Sequence, residues 1–376
     1  MSVEYEPDGA AIARVANLDG VRGIAILLTI MFHSFDATQS IGTYGERGVD
    51  LFFVLSGFLI TGILIETRDR PSYFKNFYVR RALRILPLYY VYIVLMVFVA
   101  PVVLRAVFPN AAPDSSIAKT ISLGDHPNGI WTIWVYLQNY VLARGPGSLP
   151  GLGHLWSLAV EEQFYFVWPL FIWFLPKRWR FEAFVGIIIV VATARTALLW
   201  SGVIDNYGAS RPTHFRIDSL TVGAIGALYV RDAALRERLA PIRRWFAKGL
   251  WIPFAILPIF SGTFMYGIGL TLVAVGGLVF ILAAYEGVVG PRTQRLLSHR
   301  LVQLSGKYCY SMYLFHFASA VALQSGTFIP NAPLIDSILA FGISTALSLG
   351  IAAITWKYWE QPWLRLKRRF SYSVAA

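Results

Sequence analysis

The sequence predicts an all-α, polytopic integral membrane protein with about ten transmembrane helices and one re-entrant segment. Of its 376 residues, 56% are hydrophobic and only 14% are charged. Soluble globular domains carry about 25% charged residues, and the mean hydropathy of +0.56 is correspondingly high. Long apolar runs recur from residue 21 to residue 359 with no break in composition. These observations favour one integral membrane domain over two or three soluble domains.

Eleven apolar segments are candidates for the helices, because a spanning helix needs about 20 residues. They are 21–40, 48–66, 83–108, 129–143, 154–176, 182–203, 217–231, 249–264, 266–286, 304–325 and 334–359. The fourth, "GIWTIWVYLQNYVLA", is short and interrupted by polar groups. It is therefore predicted to be a partly buried, re-entrant piece of a long outer loop over 109–153.

The distribution of basic residues sets the predicted orientation. If segment 129–143 does not cross, most of the 33 Lys and Arg residues fall in alternate loops. Cytoplasmic loops carry such an excess, so both termini are predicted to be cytoplasmic. The net charge of +12 then reflects membrane orientation, and no nucleic-acid partner is expected. The predicted location is the inner (plasma) membrane, and the predicted partner there is the lipid bilayer.

The predicted organisation is a cytoplasmic tail over 1–20, a membrane domain over 21–362 and a basic cytoplasmic tail over 363–376. The N-terminal stretch lacks the basic start and short apolar run of a signal peptide, so it is interpreted as a retained tail. The single cysteine, Cys309, lies in an apolar segment. Neither a disulfide framework nor a cysteine metal site is therefore expected, and no metal is predicted.

A histidine stands within the first apolar segment. His33 lies 11 positions after Arg22, about 16 Å along a helix, where an unpaired imidazole is costly. It could simply pack and donate to a backbone carbonyl. Asp36 follows one turn later and Asp50 begins the next helix, and a carboxylate beside an imidazole raises its basicity, as a general base requires. Asp50 alone could equally be a helix N-cap.

Two further charged pairs are candidates for function. Arg81 and Arg84 in "YVRRALRILPLYY" share one helix face. They could anchor the helix at the cytoplasmic surface, or bind a phosphorylated ligand through bidentate contacts. Glu161 and Glu162 lie in the otherwise apolar "GLGHLWSLAVEEQFYFVWPLFIW". Carboxylates at that depth are expensive and usually functional, with His154 or an arginine as partner; solvation at the membrane surface is the simpler alternative.

Two polar residues near the C-terminal end are interpreted as structural. His316 in "GKYCYSMYLFHF" could be a second buried base, but a satisfied polar group within a helix is the favoured interpretation. Glu360 in "YWEQPW" is expected to help hold the basic tail.

Six stretches in order resemble one family. They are "LDGVRGIAILLTIMFH", "GVDLFFVLSGFLIT", "RRALRILPLYY", "HLWSLAVEEQFYFVWPL", "KYCYSMYLFH" and "EQPW". Together they resemble the membrane-bound acyltransferase-3 family, which includes bacterial O-acetyltransferases of surface polysaccharides and nodulation factors. The resemblance extends over about residues 17–365. Some relatives carry an additional hydrolase-like domain, whereas this chain stops soon after "KRRFSYSVAA", so the stand-alone class is expected.

The resemblance implies transfer of an acyl group, most often acetyl from acetyl-CoA, to a sugar hydroxyl of an exported glycan. It implies that His33 is the catalytic histidine and that Arg22, Arg81 and Arg84 belong to the binding motifs. Acyl-CoA would then bind at the cytoplasmic face beside Arg81 and Arg84. The acceptor would approach from outside, near Asp50 and the two glutamates.

A transporter is the competing class. In that interpretation, His33 and Glu162 would relay protons during export of a saccharide or a lipid-linked saccharide. The sequence shows no repeated half, and matched interrupted segments are the usual sign of a transporter. A receptor or purely structural role ranks third, because it leaves the ionisable groups in apolar segments unexplained.

Overall fold

The computed structural model describes residues 9–35, 44–111, 115–125, 127–145, 149–240, 262–324 and 332–370. Within these ranges the chain is helical and forms no strand, which confirms the predicted all-α class. The helices of sixteen residues or more in this part are α1 (Gly9–Ser34), α2 (Arg47–Thr67), α3 (Tyr73–Val94), α4 (Trp156–Phe174), α5 (Arg180–Trp200), α6 (Thr213–Arg231), α7 (Leu270–Glu286), α8 (Cys309–Gln324) and α9 (Pro333–Thr355).

Five stretches of the described chain are long and apolar enough to cross a membrane. They are Arg47–Thr67, Tyr73–Val107, Lys177–Trp200, Met265–Glu286 and Pro333–Phe370. This agrees with a polytopic membrane protein, while ten spans and cytoplasmic termini stay predictions. Most of the predicted segment 249–264 lies outside the described residues.

Helix α2 is central to the arrangement. Of its most apolar 18 residues, 61% are buried. In the stretch Tyr73–Val107, which contains α3 and its continuation, the corresponding share is 17%. It packs against α1, α4, α6 and α7. An apolar helix surrounded by other helices in this way is a scaffold, whereas the exposed apolar side chains of Tyr73–Val107 lie mainly in its second part, from Val94 to Val107, where α3 ends and its continuation begins.

Two glycines bring α2 and α6 into backbone contact. A Cβ added at Gly57 would clash with the backbone of Leu220, and one added at Gly223 would clash with the backbone of Val54. Small residues at a helix crossing allow this close approach, which drives helix association in membranes. The sequence pattern predicts close packing at "VGAIGAL", and the structure identifies α2 as the partner.

We expect Gly57→Ala to destabilise the protein, because even one methyl group forces the α2 and α6 backbones apart. Overpacking of this kind costs about 1–3 kcal/mol. The measurement is the midpoint of thermal unfolding in detergent. Gly186→Ala in α5 is the matched control, because a Cβ there meets nothing within 4 Å. Equal midpoints for the two variants would contradict the close-contact interpretation.

A fully buried ion pair ties α5, α6 and α7 together. Arg195 Nη2 donates to Asp218 Oδ2 at 2.9 Å and to the Thr271 hydroxyl at 2.7 Å. The Thr271 hydroxyl donates to the same carboxylate oxygen at 2.6 Å. Buried charges of this type are retained only when they are paired and hydrogen-bonded. We therefore assign Arg195, which lies in the middle of an apolar segment, to the structure rather than to the active site.

The predicted re-entrant segment 129–143 is divided into short helices. They are Pro127–Ile130, Trp131–Val135 and Gln138–Leu142. Gln138 is fully buried, and its amide donates to the Leu155 carbonyl at 2.9 Å. Interrupted backbone is tolerated at membrane depth only where protein covers it. The segment therefore packs as an irregular insert and not as one regular helix.

Candidate active site

Five of the predicted site residues line one cavity. Its walls come from α1, α2, α3, α4 and α8, and its volume is about 140 Å³. The predicted residues on these walls are Arg22, Arg81, Arg84, Glu161 and Glu162. A single water needs about 10–15 Å³ of such space, so this cavity has room for a polar group much larger than one water molecule.

The cavity walls carry charges of both signs side by side. The Arg81 guanidinium lies 4.6 Å from the centre of the Tyr165 ring. The hydroxyls of Ser56 and Tyr165 hydrogen-bond to each other, and both face Glu161. Arg22 forms an ion pair with Asp19 at the α1 wall. The arginine side chains and the two glutamates, which stand far apart in the sequence, therefore form one polar chamber.

His33 lies at the end of α1 and is half-buried. The centre of its ring is 5.2 Å from that of His316, 4.9 Å from that of Phe317 and 4.9 Å from that of Phe32. Asp36, the first carboxylate predicted to assist it, lies outside the described residues.

Asp50, the second predicted carboxylate, is bound by two arginines. One of its oxygens accepts from Arg47 at 2.9 Å, and the other accepts from Arg216. The carboxylate is almost fully buried, and the Arg216 guanidinium also stacks over Phe53. Both oxygens of Asp50 therefore have cationic partners, one of them 166 residues away in the sequence.

A cluster of three histidines lies beside the cavity, and the sequence did not indicate it. The ring of His316 lies 5.2 Å from that of His33 and 5.5 Å from that of His154, and the His154 ring stacks on Phe317 at 4.8 Å. We call His33, His154 and His316 the histidine cluster. His154 or an arginine was predicted to pair with the two glutamates, and His316 was predicted to be structural. The only sequence signal was that each interrupts an apolar stretch.

Tyr313 connects the histidine cluster with the cavity. Its hydroxyl donates to the His154 carbonyl at 2.6 Å and hydrogen-bonds to Ser157. Both Tyr313 and Ser157 line the cavity, and the Tyr313 ring centre is 5.5 Å from that of His316. The histidines and the charged chamber are therefore neighbouring parts of one site.

The C-terminal part of the described chain packs near the arginines. Arg80, beside Arg81, donates to the carbonyls of Lys367 and Phe370 at 3.3 Å each. Glu360 is buried and accepts from the Ser311 hydroxyl at 2.5 Å. The basic segment of α3 and the basic segment over 365–369 thus meet at one surface.

The arrangement can perform acid–base chemistry on a bound molecule. An imidazole is a base at neutral pH, and arginines beside it can hold an anionic ligand. Among the residues that the structure describes, no group of three or more His, Cys, Asp or Glu side chains is placed to hold a metal ion.

Comparison with known proteins supplies independent information. The family model described as "Acyltransferase domain" matches residues 15–357. A Bacillus subtilis (strain 168) protein named "Putative peptidoglycan O-acetyltransferase YrhL" is 28% identical in an alignment 365 positions long that covers 93% of this chain and 54% of that protein. The "Peptidoglycan O-acetyltransferase OatA" of Listeria monocytogenes is 26% identical in an alignment 318 positions long that covers 81% of this chain and 49% of that protein.

A Staphylococcus aureus (strain COL) protein named "Putative O-acetyltransferase SACOL0978" is 26% identical in an alignment 363 positions long that covers 93% of this chain and 57% of that protein. The chain thus spans about half the length of the curated relatives that it matches. No solved structure matches it significantly.

Proposed function

The chain belongs to the acyltransferase-3 family, and on this premise we propose that it transfers an acyl group from acyl-CoA to a sugar hydroxyl. Acetyl is the expected group, and the expected acceptor is a surface or exported glycan. The names of the relatives point to peptidoglycan as the first acceptor to test. We place the reaction in the inner (plasma) membrane, with the donor arriving from the cytoplasm and the acceptor from outside.

The single observation that carries the proposal is that charged residues from three helices line one cavity. Arg22, Arg81, Arg84, Glu161 and Glu162 line the same cavity. The histidine cluster joins that cavity through Tyr313 and Ser157. Acyl transfer from acyl-CoA to a hydroxyl uses a base for the hydroxyl proton and cations for the phosphates of the donor, and this site offers both.

We assign the arginines to the donor. The phosphates of acyl-CoA carry the negative charge of the donor, and arginine binds phosphate with paired hydrogen bonds. Arg81 and Arg84 are the proposed phosphate ligands, with Arg22 on the facing wall of the cavity. The long pantetheine arm would then carry the thioester towards His33. Binding energy from the phosphates, far from the reacting carbon, would position the thioester.

We assign the proton transfer to His33. In the direct route, His33 removes the hydroxyl proton while the hydroxyl oxygen attacks the thioester carbonyl. The new C–O bond forms, the C–S bond breaks, and the proton passes to the departing thiolate. In the alternative route, a nitrogen of His33 attacks the thioester, the C–S bond breaks and the CoA thiol leaves; the acceptor hydroxyl then attacks the acyl-imidazole, the C–N bond breaks and His33 is restored. Glu161 and Glu162 would orient the acceptor at the chamber wall, and packed helices around the site would limit hydrolysis of the thioester.

Labelled acetyl-CoA supplied to membranes that contain the protein tests the function. The acceptors are a panel of glycans that includes peptidoglycan. An alkali-labile label on a glycan, dependent on the protein, supports the proposal. Absence of label with every acyl-CoA and acceptor, together with no protection of the protein by acyl-CoA against thermal unfolding, would favour the transporter class.

We expect Arg84→Ala to raise the KM for acyl-CoA about 10- to 100-fold with a smaller effect on kcat. A lost charge-assisted hydrogen bond is worth about 1.5–3 kcal/mol, and the phosphates contribute mainly to binding. Initial rates against acyl-CoA concentration provide the measurement. Arg105→Ala is the matched control, because Arg105 is an exposed arginine on the continuation of α3. An unchanged KM would assign Arg84 to membrane anchoring.

A further inference from the structure

A lysine near the C-terminal end lies beside the arginines of α3. Arg81 and Arg84 line the cavity, and Arg80 is their neighbour on the same helix. Arg80 donates to the carbonyls of Lys367 and Phe370 at 3.3 Å each. These bonds hold the short helix that these two residues bound against α3. Lys367 therefore joins the three arginines of α3 as a fourth cation in one region.

Lys367 differs from the other basic residues of its own segment. It is partly buried, whereas the exposed basic residues around it are Arg365, Arg368 and Arg369. The positive charges of all three arginines of α3 act on its ammonium group, and the carboxylate of Glu360 opposes them. Within the described chain, Lys367 forms an ion pair with no carboxylate. A partly buried cation among other cations is costly unless an anion neutralises it, so an anionic ligand is expected here.

The proposed donor carries its anionic groups in a fixed order. In CoA the pantetheine arm ends at a pyrophosphate, the pyrophosphate leads to adenosine, and a separate phosphate stands on the 3′ oxygen of the ribose. The pyrophosphate is thus nearer to the thioester than the 3′-phosphate is. Arg81 and Arg84 line the cavity, whereas Lys367 lies next to these arginines but is not a lining residue. The order of the ligand therefore matches the pyrophosphate to the two arginines and the 3′-phosphate to Lys367.

We propose that Lys367 binds the ribose 3′-phosphate of the acyl-CoA donor. The proposal rests on the proposed function, and it makes the helix over 367–370 part of the donor site. A lysine ammonium is a compact charge with three donors on a flexible stem, which suits a phosphate at the free end of a long ligand. Lys367 then selects complete CoA over forms that lack this phosphate, and it contributes binding energy far from the reacting carbon.

Two donors that differ in one phosphate test the proposal. The ratio of kcat/KM for acetyl-CoA to kcat/KM for acetyl-3′-dephospho-CoA is measured for each variant. We expect a ratio of about 10 to 100 for wild type, because a charge-assisted contact is lost with the phosphate. In Lys367→Met, which keeps an apolar stem without the charge, the ratio should fall to about 1. Lys367→Arg should keep most of the preference.

The matched control removes an equal charge from the same short helix. Arg368 is exposed, so Arg368→Ala changes the general electrostatic attraction of the donor but not the proposed contact. We expect this variant to keep the wild-type ratio. An equal loss of preference in Arg368→Ala and Lys367→Met would assign the effect to overall charge and would contradict the proposal.

A second measurement does not depend on acyl transfer. The thermal unfolding midpoint in detergent is compared with CoA and with 3′-dephospho-CoA at equal concentrations. We expect CoA to raise the wild-type midpoint more than 3′-dephospho-CoA does, and both ligands to raise the Lys367→Met midpoint equally.

The outcomes separate this proposal from the proposed function. If wild type transfers acetyl and Lys367→Met keeps the wild-type donor preference, the phosphate contact is wrong while the function stands. If wild type transfers nothing but the midpoints follow the expected pattern, the proposed function fails and the phosphate contact stands. Failure of both ligands to raise the wild-type midpoint would also overturn the contact.

Discussion

His33→Ala is expected to abolish acyl transfer while the protein still accumulates in the membrane. Removal of the base leaves the acceptor hydroxyl without a group to take its proton, and general-base catalysis contributes about 10²- to 10⁴-fold. The same substitution blocks the alternative route, in which the imidazole carries the acyl group. The measurement is transfer of label from acetyl-CoA to a glycan, normalised to the amount of folded protein.

The control for this loss is another histidine. His299 is exposed and lies just before the helix Arg300–Lys307, away from the cluster. We expect His299→Ala to keep wild-type activity. Retention of more than a tenth of wild-type activity by His33→Ala would remove His33 from the mechanism.

Asp50→Ala is expected to destabilise the protein strongly, whatever it does to activity. The substitution removes the carboxylate that Arg47 and Arg216 both bind; Arg47 keeps a second ion pair, with Glu46, so the main loss falls on the buried Arg216. Breaking a buried ion pair by removing one partner costs about 3–5 kcal/mol, because the remaining charge is left uncompensated. The thermal unfolding midpoint in detergent measures the loss, and the yield of membrane-inserted protein should fall with it.

Two further variants make the Asp50 test specific. Asp50→Asn keeps the shape and one acceptor oxygen, so a smaller loss of stability is expected. Asp69→Ala removes an exposed carboxylate just after α2 and should leave the midpoint unchanged. A stable but inactive Asp50→Ala protein would instead favour the sequence-based interpretation, in which this carboxylate orients His33.

The sequence predicted the helical class because that depends on local composition. Apolar runs of sufficient length specify α2, α3, α5, α7 and α9 without reference to the rest of the chain. The irregular insert over 129–143 was also predictable, because its polar residues interrupt a run too short to span. The pairing of α2 with α6 was not predictable, since it depends on which of many glycines meets which backbone.

Several individual residues of the site were predicted from the sequence, but the contacts between them were not. Arg81 was chosen because it shares a helix face with Arg84, and Glu161 because a carboxylate in an apolar helix is expensive, so each choice needed only its own surroundings. The distant partner of Asp50 is Arg216, and no local pattern links positions so far apart. His316 was assigned to the structure because one histidine in a helix is usually satisfied by its own backbone. That was correct for Nδ1, but the other ring nitrogen faces a cluster built from three distant segments.

The backbone contact between α2 and α6 also determines which wall of the cavity can move. Sliding one of these helices along the other would push main-chain atoms at Gly57 and Gly223 into each other, so this side is rigid. The wall that carries Arg81 and Arg84 belongs to α3, which contains no glycine and continues from Val94 to Val107 into a stretch whose large apolar side chains are mostly exposed. Admission of a bulky donor is therefore expected to displace α3 outwards into lipid. Lateral pressure in the bilayer, and hence its lipid composition, would then act on the rate of donor entry.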